Sequence, residues 1–189
     1  RALNYGGIGV VIAHEITHGF DDVGRQSDSL GNLAQWWSEA TIETYLQKAQ
    51  CFIDQYGAFR VPQLDKLLSM PVTVNYFFQV NGVTTLGENI ADNGGLHSAL
   101  TAYRKYVNIN GEEPRLPGLE QFTPDQLFYI AFATNWCEST TKESLLHEIL
   151  NDPHSPHKFR VSGSLANSPD FAKTFHCSPL KVKNVCKIW

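Results

Sequence analysis

Apolar residues recur along this chain with the spacing of helices. The run from about Ile8 to Phe20 is apolar nearly all round, which is typical of a helix buried in a core. Later stretches repeat apolar residues every three or four positions, or begin with the Ser/Thr cap and following Pro that mark a helix start. The pattern predicts further helices over residues 36–51, 85–106, 123–137 and 142–151, and a short one from Ser168 to about 176. We therefore expect a mainly α fold.

One segment departs from helical spacing. Residues 72–80 are rich in β-branched and aromatic side chains and are followed by Asn81-Gly82, which favours a strand or hairpin. An extended loop packed over the core is compatible with the same residues. The predicted β content is therefore small.

Two adjacent glycines, Gly94 and Gly95, lie inside the predicted helix 85–106. Together they cost roughly 2 kcal/mol relative to alanine. We expect close packing against another backbone to compensate for this cost.

Length, charge and cysteine content exclude several classes of protein. The 189 residues are 42% hydrophobic, which suits one domain with a core. The net charge is -4 and the charged residues form no long runs of one sign, so nothing indicates a nucleic-acid partner. No apolar run approaches the roughly 18 residues of a membrane span. The four cysteines form no C-x-x-C pair; their pattern suits disulfides in an oxidising compartment, with buried thiols as the alternative.

The first predicted helix carries an HExxH pattern, His14-Glu15-Ile16-Thr17-His18. Positions i and i+4 lie about 40° apart around a helix axis, so His14 and His18 can share a metal ion. Glu15 lies about 100° from His14, which suits a carboxylate that acts on a water beside the metal. Because a catalytic zinc has three protein ligands, a third must come from elsewhere in the chain.

Glu88 and Asp92 are candidates for completing that site. They lie at i and i+4 of the helix 85–106 and face the same way. Glu88 could bind zinc while Asp92 holds a histidine ring through its other nitrogen. A solvated helix face is the alternative, but the flanking residues are apolar, and an unpaired carboxylate in a partly buried helix is costly.

Residues 14–22 and 87–95 together resemble the neprilysin and endothelin-converting enzyme family of zinc metallopeptidases. The likeness covers essentially the whole chain, through blocks that occur in the family order: 3–9, 116–119, 154–156, 159–160, 175–177 and 186–189. It implies a mainly α, thermolysin-like (gluzincin) catalytic subdomain. In that fold an HExxH helix and a second ligand-bearing helix hold one zinc ion, with little β structure.

The resemblance also implies a role for each residue at the zinc. His14, His18 and Glu88 would be the ligands, and Glu15 would be the general base and proton shuttle. Asp92 and Asp21 would orient the rings of His14 and His18, respectively.

Further residues would contact the substrate. His154 would stabilise the oxyanion of the tetrahedral intermediate, and Arg160 would grip a substrate carbonyl. By composition alone, His154 is a loop residue before a proline. A hydrophobic pocket would draw on Val10, Val11 and Trp136, which are equally explicable as core residues.

Members of this family are several times longer than this chain. The resemblance thus implies that residues 1–189 form a single zinc metallopeptidase catalytic domain of a larger extracellular or cell-surface enzyme, either secreted or anchored in the membrane. Partners would be peptide substrates and the N-terminal lobe of the longer enzyme.

The resemblance further implies a Cys51–Cys186 disulfide. Cys137 and Cys177 would normally pair with cysteines of that lobe and would here be free or paired with each other. The family's usual glycine after His-Ser-Pro is His157 here.

The implied reaction is zinc-dependent hydrolysis of short peptides on the amino side of hydrophobic residues. A catalytically silent zinc-binding module, used for interaction or structure, is the competing hypothesis. Such a module needs the ligands but not the substrate-binding strand, which the resemblance places upstream of residues 1–189.

Overall fold

The computed structural model describes residues 1–65, 77–177 and 185–189. Within these ranges the chain is mainly α, as predicted, and its β pairing consists of isolated bridges between Ser27 and Leu33 and between Arg60 and Gln79. Most of the strand or hairpin predicted at 72–80 lies outside the described residues. Its last residues pair with the segment at 59–61, where the Val61 N–H donates to the Phe78 carbonyl at 2.8 Å.

The helices occur in an order close to the predicted one. They are α1 (Ala2–Asn4), α2 (Val10–Thr17), α3 (Glu39–Gly57), α4 (Pro62–Asp65), α5 (Leu86–Asn110), α6 (Pro124–Thr134), α7 (Lys142–Asn151), α8 (His157–Ala166) and α9 (Pro169–Thr174). A π-helical segment, Tyr5–Gly9, precedes α2, and a 3-10 turn, His18–Phe20, follows it. None of the described helices is long and apolar enough to cross a membrane.

The helix starts predicted from capping residues are confirmed. Thr123 accepts a hydrogen bond from the Gln126 N–H at 3.1 Å, and the Gln126 side chain accepts one from the Thr123 N–H at 2.9 Å. Ser168 caps α9 by accepting from the Phe171 N–H at 3.3 Å. Each cap satisfies backbone donors that have no partner inside the helix.

Helix α8 was not predicted from the sequence. Pro156 occupies its N-cap position without a side-chain hydrogen bond, and a glycine, Gly163, lies in its second half. A Cβ on Gly163 would lie 2.5 Å from the Tyr56 ring, so this glycine allows α8 to pack on α3. The buried face of α8 includes Arg160 and Ser164, and these polar residues hide the helical period from a hydrophobic pattern.

Two apolar clusters form the core, and α5 contributes to both. The first surrounds α3 and contains Ile90 of α5 together with Ile188 of the segment 185–189. The second surrounds α6 and contains Leu100 and Tyr103 of α5. A disulfide between Cys51 and Cys186 joins α3 to the C-terminal segment; Cys137 and Cys177 are free.

The glycine pair of α5 packs directly against α2, which confirms the expected close approach. A Cβ on Gly95 would lie 2.9 Å from the His14 backbone nitrogen, and one on Gly94 would lie 2.6 Å from the Thr17 side chain. The missing side chains let the two helices approach closely. This contact brings the HExxH helix against the helix that carries Glu88 and Asp92.

Candidate metal centre

His14, His18 and Glu88 converge where α2 meets α5. The His14 and His18 Nε2 atoms are 3.0 Å apart, and they lie 3.3 and 3.5 Å, respectively, from the nearest Glu88 carboxylate oxygen. Bonds of about 2.0–2.2 Å in a tetrahedron place zinc ligands about 3.3–3.6 Å apart. Both distances to Glu88 lie in this range, and the two histidine nitrogens are 0.3 Å closer than its lower end, so a small outward shift of one ring would let the donor set hold a zinc ion. It is the one such group of His, Cys, Asp and Glu side chains in the described ranges.

The second nitrogen of each histidine ring faces a carboxylate. His18 Nδ1 hydrogen-bonds to Asp21 Oδ2 at 2.7 Å. His14 Nδ1 lies 3.0 Å from Asp92 Oδ1, although the contact is poorly aligned for a hydrogen bond. Contacts of this kind select the tautomer that leaves Nε2 available to a metal. Asp21 is itself held by the backbone N–H groups of Val23 and Gly24.

The close contacts between histidines and carboxylates shift the pKa values of His14 and Glu88. Burial lowers the pKa of His14, but its contacts with Asp92 and Glu88 outweigh burial and raise the pKa to about 9. Burial raises the pKa of Glu88, whereas the hydrogen bond with His14 and the charges of His154 and His18 outweigh burial and lower it. Glu88 is thus ionised at neutral pH. A metal ion would have to displace a proton from His14.

Glu15 directly follows His14 on α2, and its side chain is exposed to solvent. Exposure suits a carboxylate that exchanges protons with water.

Val10 and Val11, which the resemblance assigned to a substrate pocket, differ in environment. Val11 is 36% exposed, whereas Val10 is 2% exposed and belongs to the second apolar cluster. The side chain of Val10 therefore packs in the core and is not open to a substrate.

Arg160 makes its main contacts with Asp92. Its Nε donates to Asp92 Oδ2 at 2.8 Å and its Nη2 donates to Asp92 Oδ1 at 2.7 Å, with a longer contact of 3.5 Å from Nη2 to Glu88. The guanidinium carbon lies 3.8 Å from the centre of the Trp136 ring, and the residue is 5% exposed. Trp136 in turn contacts the His157 ring edge to face at 5.5 Å. The arginine is therefore fixed on one edge by a carboxylate and on one face by an aromatic ring.

His154 reaches the centre from the loop between α7 and α8. Its Nε2 lies 3.2 Å from Glu88 Oε2, and its Nδ1 lies 2.7 Å from Asp152 Oδ1. Asp152 also accepts from the His154 backbone N–H at 2.8 Å. Burial raises the pKa of Asp152, but these hydrogen bonds outweigh it and lower the pKa. Asp152 was not predicted from the sequence; an aspartate two residues before a histidine at a helix end is the turn signal that could have indicated it.

Comparisons with known proteins agree with this arrangement. The model of peptidase family M13 matches residues 1–186. Neprilysin-11 of Caenorhabditis elegans is 45% identical over 192 residues, and endothelin-converting enzyme 1 of Bos taurus is 46% identical over 192 residues; each alignment covers 100% of this chain. The alignments cover 21% and 24% of those relatives, so this chain spans less than a quarter of their length.

A solved structure shares the fold. The zinc metalloprotease Zmp1 of Mycobacterium tuberculosis, in an open state determined by cryo-electron microscopy, superimposes with a TM-score of 0.84 at 34% identity. This match covers 100% of the present chain and 28% of the Zmp1 chain. Because the family model matches residues 1–186 and a zinc metalloprotease shares the fold, this chain belongs to peptidase family M13.

Proposed function

We propose that this chain carries the zinc centre and the proton-transfer groups of an endopeptidase that cleaves short peptides on the amino side of hydrophobic residues. The observation that carries the proposal is the convergence of two imidazole nitrogens and one carboxylate, with the opposite nitrogen of each ring facing a second carboxylate. Membership of a peptidase family supports hydrolysis of the peptide bond.

In this proposal His14, His18 and Glu88 hold one zinc ion. When bound, zinc supplies Lewis acidity, which polarises the scissile carbonyl and acidifies water. Asp92 and Asp21 keep the two imidazoles in the tautomer and orientation that this binding needs.

Glu15 is the proposed proton carrier. It takes a proton from the attacking water and delivers that proton to the leaving amine. Its position one residue after His14 and its solvent exposure support this role.

His154 and Arg160 are proposed to meet the substrate carbonyl groups. His154 would donate from Nε2 to the developing oxyanion as a ring protonated on both nitrogens, with its Nδ1–H donated to Asp152. The guanidinium of Arg160 has five N–H donors, of which those on Nε and Nη2 face Asp92 and Glu88. Nη1 is therefore the group with which Arg160 would contact a substrate carbonyl.

The proposed side-chain pocket uses Val11 and Trp136. Val11 presents a partly exposed apolar surface on the HExxH helix, and Trp136 lies beside Arg160. Val10 would support this pocket only from the core, because it is almost fully buried.

We also propose that the chain works outside the cell or on its surface, together with the rest of a longer polypeptide. The Cys51–Cys186 disulfide supports an oxidising compartment. The much greater length of the relatives supports a further lobe as partner.

The direct test is hydrolysis of a quenched fluorescent peptide by the zinc-loaded chain and by a family-length form, with and without a chelator. Glu15→Gln should keep stoichiometric zinc and lose nearly all turnover, because the variant retains the ligands and removes the base. Glu43→Gln, which changes an exposed glutamate on α3, is the matched control and should leave turnover intact. Zinc binding without hydrolysis in either form would instead support the silent zinc-binding module.

A further inference from the structure

A buried hydrogen bond joins the helix that carries Glu88 to the loop that carries His154. Ser155 Oγ donates to Asn89 Oδ1 at 2.8 Å, and both residues have 0% exposed surface. Asn89 directly follows Glu88 in sequence, and Ser155 directly follows His154. The bond therefore connects the same two elements as the contact between His154 and Glu88.

The direction of this bond is set by a chain of hydrogen bonds along the start of α5. The Thr85 hydroxyl donates to the Asn81 carbonyl at 3.0 Å and accepts from Asn89 Nδ2 at 2.9 Å. Because the amide nitrogen of Asn89 is engaged with Thr85, its oxygen faces Ser155. The Asn89 side chain thus presents a fixed acceptor to the loop.

The hydrogen bonds within the loop do not hold it in place relative to α5. Asp152 holds the His154 ring and backbone, but Asp152 belongs to the same loop and would move with it. The hydrogen bond to Asn89 instead fixes the loop relative to α5. The bond thus ties the loop to α5 at the residues next to His154 and Glu88, whose Nε2 and Oε2 atoms lie 3.2 Å apart.

We propose that the Asn89–Ser155 hydrogen bond is a positioning device that sets the place of His154 relative to the metal ligands. The inference rests on the proposed function, in which His154 donates to the oxyanion. A donor displaced by a fraction of an ångström still binds the ground state but stabilises the transition state less. Loss of the bond should therefore lower kcat and leave KM and zinc content nearly unchanged.

The experiment measures kcat, KM and bound zinc for Ser155→Ala, with kcat expressed per bound zinc. We expect kcat to fall about threefold to tenfold, the range for one lost hydrogen bond, with KM changed less than twofold. The matched control is Ser164→Ala on α8, which removes an equally buried serine hydroxyl that faces Asn93 instead. Ser164→Ala should keep the wild-type kcat. Asn89→Ala combined with Ser155→Ala should lower kcat no further than the larger single effect.

A wild-type kcat in Ser155→Ala, a loss seen only in KM, or an equal loss in Ser164→Ala would overturn the inference. If the wild-type chain binds zinc but hydrolyses nothing, the proposed function fails, and ring NMR signals of zinc-loaded protein decide the inference separately. Ser155→Ala should then shift or broaden the His154 ring signals, with the exposed His147 on α7 as an internal reference. An unchanged His154 signal would overturn it.

Discussion

Gly95→Ala tests whether close packing of α2 on α5 holds the metal centre together. The added Cβ would lie 2.9 Å from the backbone nitrogen of His14, 3.0 Å from its Cα and 3.0 Å from the Val10 carbonyl oxygen. Backbone atoms cannot rotate away as a side chain can. The two helices must therefore separate by roughly 0.5 Å to restore ordinary contact distances.

The expected magnitudes follow from this displacement. Alanine gains up to about 1 kcal/mol of helix propensity over glycine, whereas overpacking costs about 1–3 kcal/mol. The free energy of unfolding should thus fall by up to about 2 kcal/mol. Separating the helices also lengthens the distance between His14 Nε2 and the Glu88 carboxylate, which is 3.3 Å in the wild type. We therefore expect zinc affinity to fall by about 10- to 100-fold.

Zinc affinity is measured by competition with a chelator of known affinity, and unfolding is followed by circular dichroism in urea. Gly19→Ala is the control, because it adds the same methyl group next to the ligand His18, where nothing lies within 4 Å. This control should retain wild-type zinc affinity. A Gly95→Ala protein that is more stable than wild type and binds zinc equally well would refute the packing argument.

Two further predictions concern charge. In protein freed of metal by a chelator, Asp92→Asn should lower the free energy of unfolding by about 3–5 kcal/mol, because it leaves the buried guanidinium of Arg160 without its carboxylate. Asp170→Asn breaks the partly exposed ion pair with Arg104 and should lower it by at most about 1 kcal/mol. Equal losses for the two variants in urea unfolding would contradict this account. The raised pKa of His14, about 9 against an ordinary 6.5, means that in chelated protein its proton stabilises the fold fully below about pH 6.5 and ceases to do so as the pH rises through about 9. Urea unfolding across that range should show this decline in wild type and a smaller one in His14→Gln, and identical profiles would exclude His14 as the cause.

Local sequence patterns determined a large part of this protein. The i, i+4 spacing puts His14 on α2 and His18 at its C-terminal cap on one shared face, whatever the rest of the chain does. Caps at Thr123 and Ser168 fixed two helix starts for the same reason, since donors and acceptors lie within a few residues of each other. The glycine pair in α5 indicated a close helix contact before its partner was known.

Tertiary structure decided how these pieces meet. The sequence did not indicate that Arg160 lies on a helix, or that Asp92 on a second helix pairs with its charge. It did not indicate that Val10 faces the core while Val11 is partly exposed, or that Asn89 and Ser155 meet across 66 residues. Such contacts join residues that are distant in the chain, and no periodicity within either segment encodes them. They follow from the packing of α2, α5 and α8 against one another, which only the folded chain establishes.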